Sequence, residues 1–269
     1  MLKNLFFLLI ILFCNTLFSQ NNRDSVQKYI HISEKIFGPK DKIKYLEKAN
    51  SFAIKANDDS LIINTFSKIA FQSILLEDKE KFEASNETLK SIYQIRKYAL
   101  PLGLYYQNKG FYYYNNFRLD SAYYYFEKAK VQYKKAKNKA KFIEIYFNLL
   151  DLNYVSNDYL AIKDLAIEVF ENDTFKKEYR FLAFINSYLG LVASGLYDYE
   201  SSLEYHKISL EISKNIKDDT IRKREEAALT NNLGLMHLDF NRFEEALLYF
   251  KQALKKTSIL RSNNLVLYA

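Results

Sequence analysis

Small and apolar residues return along the chain at fixed intervals. Counting from Gly110, Ala122, Phe126 and Ala129 stand at offsets twelve, sixteen and nineteen. Counting from Gly234, the same offsets hold Ala246, Phe250 and Ala253, and counting from Gly190 they hold Ser202, His206 and Ser209. Steps of four and three place such residues on one face of a helix. Asn116, Asp198 and Asn241 fall between each origin and its later residues, where turns or caps belong. The pattern therefore predicts pairs of antiparallel helices. Small residues let the helices of a pair approach, and an aromatic fills the space one turn away. No strand-like alternation competes with it.

The origins 110, 190 and 234 are 80 and 44 residues apart, so a period near 40 predicts further units near 70, 150 and 30. Near 70, Ala70 takes the glycine position, and Ala84 and Ser91 keep a seven-residue spacing if the loop holds two extra residues. Near 150, Leu150 is followed by Ile162, Ala166 and Val169. Near 30, "DSVQKYIHISEKIF" and "DKIKYLEKANSFAIKA" read as a helix pair. The expected fold is all-α: a right-handed α-solenoid of five to six antiparallel helix pairs over residues 24–257. Two prolines and six glycines are too few for a turn-rich β sandwich, and 49% hydrophobic residues argue against global disorder. On this register, most of the tyrosines around Gly110 belong to packing within and between repeats.

The stretches "KGFYYYNNFRLDSAYYYFEKA", "LGLVASGLYDYESSLEYHKIS" and "LGLMHLDFNRFEEALLYFKQA" resemble the tetratricopeptide repeat (TPR) family. The period exceeds the usual length of about 34 residues, as in the extended-helix variety. Lys109 stands where a leucine usually precedes the glycine, and tryptophan is missing. The resemblance implies a concave groove lined by the first helix of each pair. It places Gln107, Asn108, Phe111 and Tyr114 there, then Phe184, Ser187 and Leu191, and finally Asn231, Asn232, Leu235 and Leu238. Asparagines suit the backbone of an extended peptide, and the aromatic residues suit its apolar side chains. The basic residues of a carboxylate clamp are missing from these positions, so capture of a free C-terminus is not implied. The style of "AIKANDD" and "NNLGLMHLDFNRFEEAL" resembles exported TPR proteins and the TPR sensor arms of regulators from Bacteroidetes. Those arms continue into a membrane helix and an effector domain.

The opening "MLKNLFFLLIILFCNTLFSQ" has a cationic start at Lys3 and an unbroken apolar run from Leu5 to Cys14. That run is shorter than the roughly 20 residues a spanning helix needs. It reads as a signal peptide over residues 1–19, cleaved after Ser19, which implies a periplasmic or cell-envelope location. An uncleaved anchor is the alternative; lipidation at Cys14 is disfavoured by the bulk of Phe13. Cys14 is the only cysteine, so the cleaved chain has no disulfide or thiol chemistry. The formal charge of +7 is mild for the length, but Lys128 to Lys141 carries seven lysines and no acid. Lysines suit a helix C-terminus; the second reading is a site for an acidic partner or an anionic membrane surface. Nucleic acid is not expected.

Little in the chain points to chemistry. His31, His206 and His237 are isolated from other ligand types, and phosphate-cradling loops and nucleophile elbows do not occur. Glu244 and Glu245 open a helix and are expected to be solvated. No enzyme activity, metal or cofactor is expected. The reading is an exported protein that binds a protein or peptide through a groove. Its alternative is a structural assembly factor of the envelope that acts by self-association. Residues 258–269, "SILRSNNLVLYA", show a polar break at Arg261 to Asn264 and then an apolar start, as if a further repeat were beginning.

Overall fold

The structure, a computed structural model, describes the backbone of residues 2–263 and the side chains of residues 19–257. Every regular element among the described residues is helical. The helices are α1 (Leu2–Lys35), α2 (Pro39–Ala56), α3 (Asp59–Leu75), α4 (Lys79–Arg96), α5 (Ala99–Asn115) and α6 (Leu119–Lys135). They continue with α7 (Lys139–Val155), α8 (Tyr159–Glu171), α9 (Tyr179–Gly195), α10 (Tyr199–Ser213), α11 (Asp219–Asp239) and α12 (Phe243–Asn263). These make the expected all-α array of helix pairs. The chain divides into two compact units, residues 1–145 and 146–269.

The turns repeat as strictly as the helices. Asn57, Glu77, Lys97, Phe117, Lys137, Asn157, Lys177 and Tyr197 all have positive φ and follow one another every 20 residues. The series resumes at Asn241, after a longer link between α10 and α11. At Phe117 the backbone N–H of Arg118 donates to Tyr113 O at 2.9 Å, and that of Phe117 donates to Tyr114 O at 3.0 Å. The same pair of bonds closes the helices at Glu77, Asn157, Tyr197 and Asn241. This is the left-handed C-terminal motif that satisfies the orphan carbonyls of a helix end. Aspartates then cap the next helix. Asp78 accepts from Lys81 N, Asp158 from Ala161 N and Asp198 from Ser201 N.

In the first unit, α1 packs on α2, α3 on α4 and α5 on α6, while α1 touches α3 and α3 touches α5. Val26 and Ile30 of α1 join Leu46, Ala49 and Ala53 of α2 and Ile69 of α3 in one core. The first pair begins upstream of residue 24: Asn22 is buried, and Arg23 pairs with Asp58 at 3.0 Å. The side chains of the expected signal peptide up to residue 18 lie outside the described residues.

The register near 70 differs from the sequence expectation. Ala84 and Ser91 are exposed. Phe82, Asn86 and Leu89 are fully buried instead, at offsets twelve, sixteen and nineteen from Ala70. The loop holds no extra residues. The small and large positions are redistributed while the spacing stays.

That redistribution follows from the central contact of each pair. A Cβ on Gly110 would run into the Phe126 ring, and one on Gly234 would lie 2.5 Å from the ring of Phe250. In the pair that opens with α7, the bulk is exchanged: Leu150 stands at the origin and Ala166 at offset sixteen, and both are buried. Volume is conserved across the contact, which is what close packing demands.

In the second unit, Ser202 Oγ donates to Gly190 O at 2.8 Å, and Ser209 Oγ donates to Ala183 O at 2.6 Å. The small serines of α10 thus bond the α9 backbone that they allow to approach. The ring of Tyr199 meets His237 of α11 and Phe240, the residue that caps it, at 5.9 and 5.1 Å. Its equivalent one repeat later, Phe243, is 62% exposed, as are Leu247 at 53% and Leu254 at 69%. Helix α12 continues through Arg261 to Asn263, so the expected break there is still helical. Residues 264–269 lie outside the described residues.

Candidate functional site

On α3, residues 64, 67, 68, 71 and 72 follow helical steps of three and four, and on α5 so do 100, 104, 107, 108 and 111. Such steps give one stripe per helix. The two stripes face a cleft of about 550 Å³ within the first unit. Ser33 and Glu34 of α1 close one side, Lys42 and Leu46 of α2 contribute below, and Asn138, Lys141 and Glu144 close the other side. All the lining helices but α2 are first helices of their pairs.

The floor is apolar. Phe71 and Phe111 meet edge to face at 5.1 Å, and Phe111 meets Phe126 beneath it at 5.3 Å. Such pairs contribute about 0.5–1.5 kcal/mol beyond their burial. The rim is charged and largely self-paired, with Lys68 to Glu34 at 3.2 Å and Lys141 to Glu144 at 2.8 Å.

Between floor and rim, Gln107 is held from both sides. Its amide N–H donates to Glu144 Oε1 at 3.0 Å, and its carbonyl accepts from the Tyr133 hydroxyl at 2.5 Å. Burial, and then the charge of Glu144, push the Tyr133 phenol well above its ordinary range. Tyr133 therefore stays protonated and fixes which way the amide points. Asn108 donates to Asn86 Oδ1 at 3.0 Å, and Asn86 donates in turn to Tyr105 O at 3.1 Å. This buried amide pair ties α4 to α5.

Of the four positions that the sequence places here, Gln107, Asn108 and Phe111 line the cleft, and Tyr114 does not. Gln107 and Asn108 are each only 3% exposed, with side chains already bonded to neighbours. Their part in the cleft is to hold its wall. Sequence reasoning missed Asn64, Ser67, Lys68 and Phe71. These sit 40 residues before Leu104, Gln107, Asn108 and Phe111, the same step that separates the origins Ala70 and Gly110.

The remaining candidates lie in the second unit. Phe184 packs edge to face on Phe147 at 5.1 Å. Ser187 is buried and accepts a hydrogen bond from Asn232 at 3.0 Å, which joins α9 to α11. Leu191 is half-buried, Asn231 is exposed, and Leu235 and Leu238 are 41% and 43% exposed. Among the described residues, no group of three or more His, Cys, Asp or Glu side chains is placed to hold a metal ion.

The family profile described as Tetratricopeptide repeat matches residues 227–259, the latter part of α11 and most of α12. This stretch is a tetratricopeptide repeat by its sequence. No curated protein sequence matches the chain. Among solved structures, the chain is similar to BtubC (BKLC) from P. vanneervenii, with a TM-score of 0.67 and 17% identity. That match covers 87% of this chain and 96% of the other. It is also similar to aspartyl phosphate phosphatase F from Bacillus subtilis, with a TM-score of 0.57 and 13% identity, over 95% of this chain and 74% of the other. At these identities the likeness is one of fold.

Proposed function

We propose that this TPR protein is an exported, non-enzymatic binding protein whose first-unit cleft takes an extended segment of another protein. The observation that carries the reading is the continuous stripe from α3 across α5, with the Phe71–Phe111 floor between paired charges. An apolar floor accepts side chains of an extended segment, and polar walls set its direction. Export rests on the leader-like residues 1–19, and a role as the sensing part of a larger regulator rests on the resemblance to such arms. The reading takes no activity from the phosphatase-named neighbour. Selection of displayed random peptides on the full chain tests it. Selected peptides should compete with one another and lose affinity when exposed Asn64 in the cleft is replaced by arginine.

One observation favours the second reading, self-association as an envelope assembly factor. Phe243, Leu247 and Leu254 form an exposed apolar strip on α12. Sedimentation equilibrium of the full chain, with and without Leu247→Glu and Leu254→Glu, tests that reading separately.

A further inference from the structure

The outer face of α6 is unlike an ordinary solvated helix. Tyr123, Tyr124 and Val131 are 45%, 52% and 47% exposed and, by helical spacing, share that face. Together with Tyr106 they border an open hollow of about 410 Å³. Lys128 reaches across it, with its ammonium 4.2 Å from the ring centre of Tyr124 and 5.4 Å from that of Tyr106. Further along the same side, Lys134, Lys135 and the turn residue Lys137 are exposed. The acids on this face are Asp120 and Glu127, and Glu127 is engaged by Lys130 at 2.9 Å. The C-terminal half of the face therefore carries positive charge beside exposed rings.

We propose that this face of α6 docks on an anionic lipid bilayer. Tyrosine has an apolar body and a polar tip and settles at the headgroup level. Lysines act as mobile point charges and need no fixed partner geometry, which suits a fluid layer of phosphates. An acidic protein site would favour arginine forks, and every cation here is lysine. The face is separate from the cleft, since none of its residues lines it.

Each lysine held near an anionic surface strengthens binding by about fivefold. The test is co-sedimentation of the full chain with vesicles of phosphatidylcholine alone and of phosphatidylcholine mixed with phosphatidylglycerol. Binding is expected to the mixed vesicles only and should weaken with salt. Replacing Lys134, Lys135 and Lys137 together by glutamine should lower it by about a hundredfold. Tyr123→Ser with Tyr124→Ser should weaken binding while leaving its salt dependence in place. All these positions are exposed, and unchanged thermal melts would show that the variants fold. Equal binding to neutral vesicles, or full binding by the lysine variant, would overturn the proposal. So would failure to bind either vesicle, and retention of soluble polyglutamate in that case would assign the face to an acidic protein.

Discussion

Gly190 faces His206 so closely that a Cβ on the glycine would lie 2.8 Å from the imidazole Nε2. The same contact joins Gly110 to Phe126 and Gly234 to Phe250. His206 is thus a histidine in an aromatic packing position. It is 1% exposed, and neither ring nitrogen has a hydrogen-bond partner. Leaving buried polar groups unpaired costs about 1–3 kcal/mol.

Replacing His206 by phenylalanine should therefore stabilise the protein by about 1–3 kcal/mol. The substitution restores the residue that two other repeats carry against their glycines. Urea unfolding at neutral pH measures the gain. A loss of stability would contradict the equivalence of the three contacts.

The same residue sets a pH dependence. Burial, and then the nearby His237, lower the His206 pKa from 6.5 to about 4. Above pH 6.5 the ring is neutral whether the chain is folded or not. As pH falls from 6.5 towards 4, the unfolded chain takes up a proton that the folded one refuses, so stability is lost, on the order of 3 kcal/mol in all. His237 adds in the same direction. Its pKa is lowered by burial and by Arg242 and Lys207, against the opposing pull of Glu245. Melting temperatures between pH 7 and 4.5 should fall more steeply for the native sequence than for His206→Phe. Parallel curves would show that His206 does not titrate in this way.

Ala122 and Ala246 are buried at offset twelve, 0% and 2% exposed. Ala122→Leu and Ala246→Leu should each cost about 1–3 kcal/mol by overpacking the helix pair. Thermal melts with no change would argue against the register.

Phe117 is 87% exposed and holds φ at 56°. A non-glycine residue in this region carries roughly 1–2 kcal/mol of strain. Glycine removes the strain but adds unfolded-chain entropy worth about 0.4–1 kcal/mol. Phe117→Gly should be neutral to stabilising, by up to about 1.6 kcal/mol. A clear loss would show that the exposed ring has a stabilising contact.

The helix pairs were legible in the sequence because Gly110, Gly190 and Gly234 mark contacts where two helices touch. The pair at Ala70 was harder to place. Asn86 supplies its bulk at offset sixteen, and a polar residue there does not look like core. Its buried bond to Asn108 explains why it is tolerated. The turns were legible only in part: Asn241 and the cap Asp198 stand where the sequence places turns or caps, but the strict series does not show. Glu77, Phe117 and Tyr197 adopt a conformation that glycine or asparagine usually announces. Half of the cleft went unread for another reason: Phe71 follows the origin Ala70 as Phe111 follows Gly110, but the groove positions were carried only onto the repeats that a glycine marks.

The most direct test of the cleft reading is affinity measured by fluorescence anisotropy, using peptides selected on the full chain. Asn64→Arg places a long charged side chain in the cleft from an exposed position, and Phe71→Ala removes part of its floor. Both variants should bind at least about tenfold more weakly, equivalent to about 1.4 kcal/mol, with the melting temperature of Asn64→Arg unchanged. Peptides that bind the native chain and both variants equally would contradict the account.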